Sequence, residues 1–143
     1  MSPIKLSICI PTFNRAKLLT NCLQSIFLNH DRADLNIQIC ISDNGSTDET
    51  EQVVRRAQDN INIDYRKNEY NLGIPQNFLQ VVAMASGDFI WLIGDDDLLM
   101  PTALKTVIEL IKNNSAVDSE FIVSFKIFSF VSYFLSINDF LKN

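Results

Sequence analysis

Short apolar runs alternate four times with segments whose apolar residues recur at helical spacing. The runs predict strands, which we place at Lys5–Ile10, Ile37–Ile41, Ile63–Arg66 and Phe89–Ile93, with a fifth at Phe121–Val123. A helical pattern follows each of the first four runs. Because strand and helix alternate in this way, the chain is predicted to form an α/β fold, a mostly parallel sheet with helices on both faces.

Local signals predict where the helices begin and end. Ser46 and Glu49 fit a capping box that would open the second helix. Pro75 suits the first position of the third helix, and Gly87 is a natural terminator for it. Pro101 is predicted to open the fourth helix.

Charge and cysteine content narrow the class of protein. The 143 residues carry 12 basic and 17 acidic side chains, a formal charge of −5 without a Lys/Arg cluster, so no nucleic-acid partner is expected. Cys9, Cys22 and Cys40 lie among apolar residues, which predicts reduced core thiols in a cytoplasmic protein. The first strand begins almost at once, so no secretory signal is expected.

Three consecutive carboxylates, Asp95, Asp96 and Asp97, follow an apolar strand and Gly94. Adjacent acids repel one another, and they are tolerated when they are solvated, cap a helix or are neutralised by a cation. A hard ion such as Mg²⁺ or Mn²⁺ prefers oxygen ligands of this kind. From the acid triplet alone, a metal site and an acidic turn before a helix stay open as alternatives.

Polar, turn-rich loops follow four of the predicted strands. These loops are Pro11–Arg15, Ser42–Asp48, Lys67–Gly73 and Gly94–Asp97. Because the carboxyl ends of parallel strands share the sheet edge where ligands bind, we expect the loops to form one site. Singly, their side chains are explained as caps, turn residues or core. Together they suit a nucleoside diphosphate, although neither G-x-G-x-x-G nor a Walker loop is present.

Five motifs resemble, in order, the signature of family 2 glycosyltransferases with the GT-A fold. The motifs are Ile10–Arg15, Asp43–Asp48, Asn71–Gly73, Ser86–Asp88, and Gly94–Asp97 with Pro101. This version is most similar to bacterial O-antigen transferases of the abequosyltransferase kind. The resemblance covers residues 5 to about 113 and implies a Rossmann-like domain, placed at 1–120, that binds the nucleotide-sugar donor.

The resemblance also implies roles for individual residues. Nucleotide-sugar contacts are expected from Pro11, Thr12, Phe13, Asn14, Arg15, Asp43, Asn44 and Asp95. A divalent metal, Mn²⁺ or Mg²⁺, is expected at Asp96 and Asp97, with Asp96 as the direct ligand. Asn44 and Gly94 stand where many relatives have an acid. Because an amide both donates and accepts, Asn44 can pair with uracil, thymine or cytosine, so a pyrimidine nucleotide is favoured.

The implied reaction transfers a sugar from a nucleotide-diphosphate sugar to a saccharide or lipid-linked acceptor in bacterial surface polysaccharide biosynthesis. The metal stabilises the departing diphosphate, and a carboxylate base deprotonates the acceptor with inversion at the sugar carbon. That base is expected downstream of this chain, so the catalytic residue is unknown. The alternative is a catalytically incomplete fragment that binds nucleotide and metal. A haloacid-dehalogenase-like phosphatase is disfavoured, because its catalytic acids follow the first strand of its core.

Six of the ten phenylalanines lie in residues 121–143. The segment is apolar, but Lys126 and four serines interrupt it, so a membrane span is not expected. We interpret it as a final strand and the apolar tail of a truncated or frameshifted chain, which predicts self-association. The expected location is the cytoplasm, with peripheral association at the inner face of the membrane.

Overall fold

The computed structural model describes residues 5–30 and 36–113, and it gives the backbone of 121–126 and 129–136. The strands in chain order are β1 (Lys5–Thr12), β2 (Asn36–Asp43), β3 (Ile63–Lys67), β4 (Phe89–Leu92), β5 (Phe121–Lys126) and β6 (Ser129–Ser136). The helices are α1 (Ala16–His30), α2 (Thr50–Gln58), α3 (Ile74–Ala83) and α4 (Ala103–Asn113). Strand and helix alternate through β5, which confirms the predicted α/β class.

One sheet joins the strands in the order β3-β2-β1-β4-β5-β6. The first five strands are parallel, and β6 pairs antiparallel with β5. At the centre, Cys9 of β1 pairs with Cys40 of β2 on one side and with Leu92 of β4 on the other. The chain moves outward from β1 to β3 and then returns to the opposite side of β1. The strand order therefore reverses between β1 and β4, and open parallel sheets bind ligands at such a reversal.

Helices cover both faces of the sheet, as the alternation predicts. One core lies under α1, α2 and α4, and its fully buried side chains include Ile8, Leu19, Val54 and Leu104. A smaller core lies under α3 and contains Cys9, Cys40, Val81 and Ile90. Successive strand residues point to opposite faces, so β1 contributes Ile8 to the larger core and Cys9 to the smaller one.

The capping box predicted at Ser46 and Glu49 is wrong. The second helix, α2, begins at Thr50, and Glu49 makes no side-chain hydrogen bond as its cap. The hydroxyl of Ser46 instead accepts a hydrogen bond of 2.8 Å from the backbone N–H of Asn14. A side chain that resembles a helix cap in sequence is therefore used to join two loops.

Gly87 does not terminate the third helix, which ends at Ala83 with Met84 as its cap. A Cβ at Gly87 would lie 2.7 Å from Ser7 Oγ and 2.8 Å from the carbonyl oxygen of Lys5. Glycine is needed there because the loop before β4 passes very close to β1.

The fourth helix begins later than predicted. Its first residue is Ala103 rather than Pro101. Thr102 adopts a φ of 70°, which is outside the helical region and separates the proline from the helix.

The strand predicted at Phe121–Val123 is confirmed as β5, and β6 was not predicted. The sequence between them contains no Gly or Pro, so no local signal divides the apolar segment into two strands. The side chains of this segment and residues 137–143 lie outside the described residues, and self-association through the tail stays a prediction. In the part of the chain that the structure describes, no helix has the length and apolar character needed to cross a membrane.

Candidate active site at the reversal of strand order

The loops after β1, β2 and β4 meet where the strand order reverses. Thr12, at the end of β1, donates a hydrogen bond of 2.8 Å from Oγ1 to Asp95 Oδ2 in the loop after β4. The backbone N–H of Asn14 donates one of 2.8 Å to Ser46 Oγ in the loop after β2. The loop after β1 is thus bonded directly to the loops after β2 and β4, and the predicted loop at 67–73 is bonded to the loop after β2 through Asn44.

Asp95 is the most enclosed member of the acid triplet, with a side chain 7% exposed. Thr12 binds one carboxylate oxygen, and Arg15 Nη1 lies 3.1 Å from the other. Burial raises the pKa of Asp95 above its ordinary value, although the Thr12 hydrogen bond and the Arg15 charge oppose the rise. The carboxylate is therefore an acceptor whose position is set by β1 and the loop after it.

The other two acids are more exposed and have different partners. The side chain of Asp96 is 54% exposed, and its Oδ2 lies 3.5 Å from Arg15 Nη1. Asp97 Oδ2 accepts a hydrogen bond of 2.8 Å from the backbone N–H of Gly94, which closes the loop on itself. A Cβ at Gly94 would lie 2.6 Å from Asp96 Oδ1. The glycine therefore leaves the space that the Asp96 carboxylate occupies.

Cys22 of α1 supports the acid loop from the core side. Its thiol donates to the carbonyl oxygen of Gly94 over 3.7 Å. Burial raises the pKa of Cys22 to about 12, and the nearby acids add to the rise, so the thiol keeps its proton near neutral pH. All three cysteines are free and buried, which confirms the predicted core thiols.

The donor set at the acid triplet fits a divalent cation that takes its other ligands from a phosphate. Among the residues that the structure describes, no three acidic, histidine or cysteine side chains converge as a ready-made cage. Mg²⁺ usually takes only one or two protein carboxylates when it also binds substrate phosphates, and Mn²⁺ prefers the same ligands. Asp96 offers an exposed carboxylate of this kind, and Asp97 is next to it.

Asp43 is fully buried, and its carboxylate is used inside the protein. Oδ1 accepts a hydrogen bond of 2.8 Å from the backbone N–H of Ser46, and Oδ2 accepts one of 2.7 Å from the phenol of Tyr65. Both bonds fix the start of the loop after β2. They favour the explanation of Asp43 as a turn residue, and its contact with a nucleoside stays a prediction.

Sequence reasoning missed Tyr65. In the sheet, β3 pairs it with Ile41, so its side chain lies on the same face as Asp43, two residues further along β2. Burial and the Asp43 carboxylate raise the pKa of Tyr65 above its ordinary value. The signal that could have identified it is the register of the β2–β3 pair, which the sequence does not contain.

Asn44 uses its whole side-chain amide to hold the loop before α3. Oδ1 accepts hydrogen bonds from Asn68 Nδ2 at 3.1 Å and from the backbone N–H of Leu72 at 2.9 Å. Nδ2 donates to Asn71 Oδ1 at 2.8 Å and to the carbonyl oxygen of Gly73 at 3.3 Å. An amide has two donors and two acceptor positions, so none is left for a nucleobase in this conformation. The argument from Asn44 for a pyrimidine therefore has no support in the structure.

Asn14 and Asp48 connect the loops that precede α1 and α2. Asn14 has a φ of 51°, a conformation that asparagine tolerates, and its Oδ1 accepts a hydrogen bond of 2.8 Å from the backbone N–H of Thr47. Asp48 accepts hydrogen bonds of 3.0 Å from the backbone N–H groups of Ala16 and Thr50. One carboxylate therefore binds the first turn of both helices.

The loop after β1 contributes solvent-facing side chains to the site, in addition to Asp96 in the loop after β4. Pro11 and Thr12 are buried, whereas Phe13 is 39% exposed and the Arg15 side chain 51%. A second residue that sequence reasoning missed, Asn77 of α3, lies beneath this loop. Its Nδ2 donates to the carbonyl oxygens of Ser42 at 2.9 Å and Thr12 at 3.4 Å, which ties the ends of β1 and β2 together.

The site geometry can be compared with known families. The sequence model of glycosyl transferase family 2 matches residues 7–133. The chain belongs to glycosyl transferase family 2. This confirms the family indicated by the five motifs, and the four motif-bearing loops form the candidate site of this family member.

Two curated relatives show how much of such proteins the chain represents. The abequosyltransferase RfbV of Salmonella typhimurium is 46% identical over 101 residues, which are 69% of this chain and 30% of that protein. The GalNAc(5)-diNAcBac-PP-undecaprenol β-1,3-glucosyltransferase of Campylobacter jejuni is 40% identical over 107 residues, 73% of this chain and 34% of that protein. The chain thus spans about a third of the length of these curated relatives.

A solved structure confirms the GT-A fold. The crystal structure of Staphylococcus aureus TarS in complex with UDP-GlcNAc superposes on this chain with a TM-score of 0.72 and 26% sequence identity. The match covers 78% of this chain and 32% of the TarS chain.

Proposed function

We propose that this chain is the donor-binding part of a glycosyltransferase that moves a sugar from a nucleotide-diphosphate sugar to a saccharide or lipid-linked acceptor in bacterial surface polysaccharide biosynthesis. The observation that carries the proposal is the hydrogen bond from Thr12 to Asp95. It joins the loop with the exposed aromatic ring to the acid triplet, at the place where parallel sheets bind ligands. The undecaprenol-linked acceptor in the name of the C. jejuni relative supports the acceptor class.

The exposed loop after β1 supplies most of the proposed donor contacts. The ring of Phe13 stacks on the nucleobase, while Pro11 and Thr12 line the ribose side of the pocket. Asp95 accepts a hydrogen bond from a ribose hydroxyl or faces the phosphates. Arg15 is close enough to the acid triplet to bind a phosphate oxygen held there.

Buried polar residues act on the donor through the loop backbone. Asp43, Asn44 and Asn14 hold the loops after β1 and β2 in the shape that receives the nucleotide. We retain a pyrimidine nucleotide in the proposal because TarS, which shares the fold, binds UDP-GlcNAc in its crystal structure.

The proposed cofactor is Mn²⁺ or Mg²⁺, held directly by Asp96 with Asp97 beside it. When bound, such an ion stabilises negative charge on the departing nucleoside diphosphate. In this arrangement Asp95 keeps its carboxylate at the edge of the phosphate site, and Arg15 adds positive charge to the same region.

The acceptor half of the reaction is proposed from the family alone. Transfer proceeds with inversion at the sugar carbon, and the general base is a carboxylate outside the residues identified in the site. A lipid-linked acceptor would bring a cytoplasmic protein to the inner face of the membrane.

Thermal-shift titration with UDP, CDP, dTDP and GDP, each with and without Mn²⁺, tests donor binding. A ligand at a hundredfold over its dissociation constant should stabilise the folded state by about 2.7 kcal/mol. Thr12→Val should weaken this shift, because it removes the hydrogen bond to Asp95. Thr20→Val, whose exposed hydroxyl bonds only within α1, is the matched control. The absence of any shift in well-folded protein would contradict the proposal, and a shift with GDP alone would contradict the pyrimidine.

A second candidate follows from the length of the chain relative to its relatives. Since it spans about a third of them, it could bind nucleotide and metal without transferring a sugar. Incubation with donor sugars and lipid-linked acceptors separates the two functions, because binding without product would leave only the second.

A further inference from the structure

Arg15 bridges two acids of the triplet through a single nitrogen atom. Its Nη1 lies 3.1 Å from Asp95 Oδ1 and 3.5 Å from Asp96 Oδ2. Within the described residues, Arg15 is the basic side chain that forms ion pairs with the triplet. It therefore provides positive charge at the position proposed for the divalent cation.

The two ion pairs differ in how easily Arg15 can leave them for another partner. Asp95 is enclosed and also bound by Thr12, so its carboxylate stays in place when Arg15 moves. Asp96 is 54% exposed and Arg15 is 51% exposed, and such exposed pairs contribute little to stability. The contact between Arg15 and Asp96 can therefore be replaced at small cost.

A diphosphate offers Arg15 a better partner than Asp96 does. Both ion pairs with the triplet use Nη1, which is not the two-pronged contact in which a guanidinium binds most strongly. Phosphate oxygens match the planar fork of arginine. Once the guanidinium turns to a phosphate, the Oδ2 atom of Asp96 is free to bind a cation.

We propose that Arg15 makes metal binding dependent on nucleotide: without nucleotide it pairs with Asp95 and Asp96 and weakens the hold of Asp96 on a divalent ion, and a bound diphosphate removes that competition. The inference rests on the proposed function, because it assumes that metal and diphosphate share this site. Arg15 is then a positioning residue whose effect is a coupling between two ligands. Such coupling is reciprocal, so Mn²⁺ should strengthen nucleotide binding by the same factor.

Titration of the full chain with Mn²⁺, followed by the electron paramagnetic resonance signal of the free ion, tests the proposal. Wild type, Arg15→Met and Arg15→Lys are compared with and without UDP, after correction for Mn²⁺ bound by free UDP. Arg56→Met, which removes the same charge from an exposed position on α2, is the matched control. Thermal melting of each variant verifies that it is folded.

The expected pattern separates the charge of Arg15 from its shape. Without UDP, Arg15→Met should bind Mn²⁺ about tenfold more tightly than wild type, as expected for removing a neighbouring like charge. In Arg15→Met, the increase in Mn²⁺ affinity caused by UDP should be smaller than in wild type by a similar factor. Arg15→Lys keeps the charge but not the fork, so its affinity without UDP should stay near wild type while the gain from UDP falls. Arg56→Met should match wild type.

Three results would overturn the inference, and they differ in what else they reject. Mn²⁺ affinity that Arg15→Met leaves unchanged or lowers, with uptake still promoted by UDP, rejects the role of Arg15 and leaves the proposed function intact. A lack of Mn²⁺ uptake by every protein, with UDP or without it, rejects both the role of Arg15 and the metal in the proposed function. If Arg15→Met does not fold, Arg15→Lys provides the test. The inference is then rejected if UDP raises the Mn²⁺ affinity of Arg15→Lys by the same factor as that of wild type.

Discussion

The phenol of Tyr65 donates a hydrogen bond of 2.7 Å to the carboxylate of Asp43, which is fully buried. The same carboxylate binds the backbone N–H of Ser46. A side chain on the edge strand β3 thus stabilises the turn that follows β2. The site loops therefore depend on a residue that lies outside all five of the sequence motifs.

Tyr65→Phe is expected to lower the free energy of unfolding by about 2 kcal/mol, because a buried carboxylate loses one of its two hydrogen bonds. Urea denaturation at pH 7 measures the change. Tyr70→Phe, at a side chain that is 66% exposed, is the control and should cost almost nothing. Equal effects of the two substitutions would contradict the assigned role.

The raised pKa of Tyr65 predicts a dependence of stability on alkaline pH. The folded state holds the phenol proton more tightly than the unfolded chain, whose tyrosine pKa is about 10. Stability from this group is therefore complete below pH 10 and is lost as the pH rises above it. The difference in unfolding free energy between wild type and Tyr65→Phe should shrink as the pH rises from about 10 to 11. If the difference instead grew with rising pH, it would contradict the prediction, because the folded state would then lower the pKa of Tyr65 rather than raise it.

Asp95→Asn should keep or raise the stability at pH 7 while it weakens nucleotide binding. Burial disfavours the charged carboxylate, and the amide removes that penalty. Because the pKa of Asp95 is raised, its contribution to folding stability is greatest at a pH below the ordinary aspartate pKa of about 3.9. That contribution is lost as the pH rises. Relative to Asp95→Asn, the wild type should lose stability as the pH rises above about 3.9. Asp59→Asn, at an exposed position, serves as the control in the same melts.

Gly94→Ala should disturb the acid loop without unfolding the protein. The added Cβ would meet Asp96 Oδ1 at 2.6 Å, and a carboxylate end can rotate away. We expect a change in the free energy of unfolding below about 1 kcal/mol and a clear loss of Mn²⁺ uptake with UDP, measured by calorimetry. Unchanged uptake would show that the position of Asp96 is not important for the metal.

Gly45→Ala, unlike Gly94→Ala, should clearly lower the stability of the protein. Gly45 has a φ of 81°, and its Cβ would lie 2.9 Å from the backbone carbon of Tyr70. Since backbone cannot move aside as a side chain does, the expected loss of stability is about 2 kcal/mol. Thermal melting distinguishes the two glycine variants, and a Gly45→Ala protein as stable as Gly94→Ala would contradict this explanation.

Asn44→Asp should be strongly destabilising. The carboxylate would face Asn71 Oδ1 and the carbonyl oxygen of Gly73 with no N–H to donate. The expected cost is more than about 2 kcal/mol in urea denaturation. Asn62→Asp, at an exposed position just before β3, is the control. A neutral effect would mean that the amide bonds around Asn44 are dispensable.

The fold could be predicted from sequence because its signals are local. Apolar runs and helical spacing identify the strands and helices through β5, and loops after parallel strands must share one edge. The location of the site follows from that rule alone. The sequence between β5 and β6 has no glycine or proline, so the same reasoning did not find the last strand.

The roles of the polar side chains could not be predicted, because they depend on pairing between distant segments. Asn44 has the donor and acceptor groups that a base-binding residue needs, yet its amide forms its hydrogen bonds with the loop at 68–73. Ser46 satisfies a helix-cap pattern, and its hydroxyl serves Asn14 instead. Only the packing of loops from separate strands shows which hydrogen-bonding groups remain available to a ligand.

The three buried thiols divide between the two sides of the sheet. Cys22 supports the acid loop within the larger core, while Cys9 and Cys40 lie under α3 in the smaller one. A thiol-reactive dye therefore has two separate reporters in the unmodified chain. Labelling of Cys22 alone would record transient opening around the acid loop of the candidate site, whereas simultaneous labelling of all three would record global unfolding.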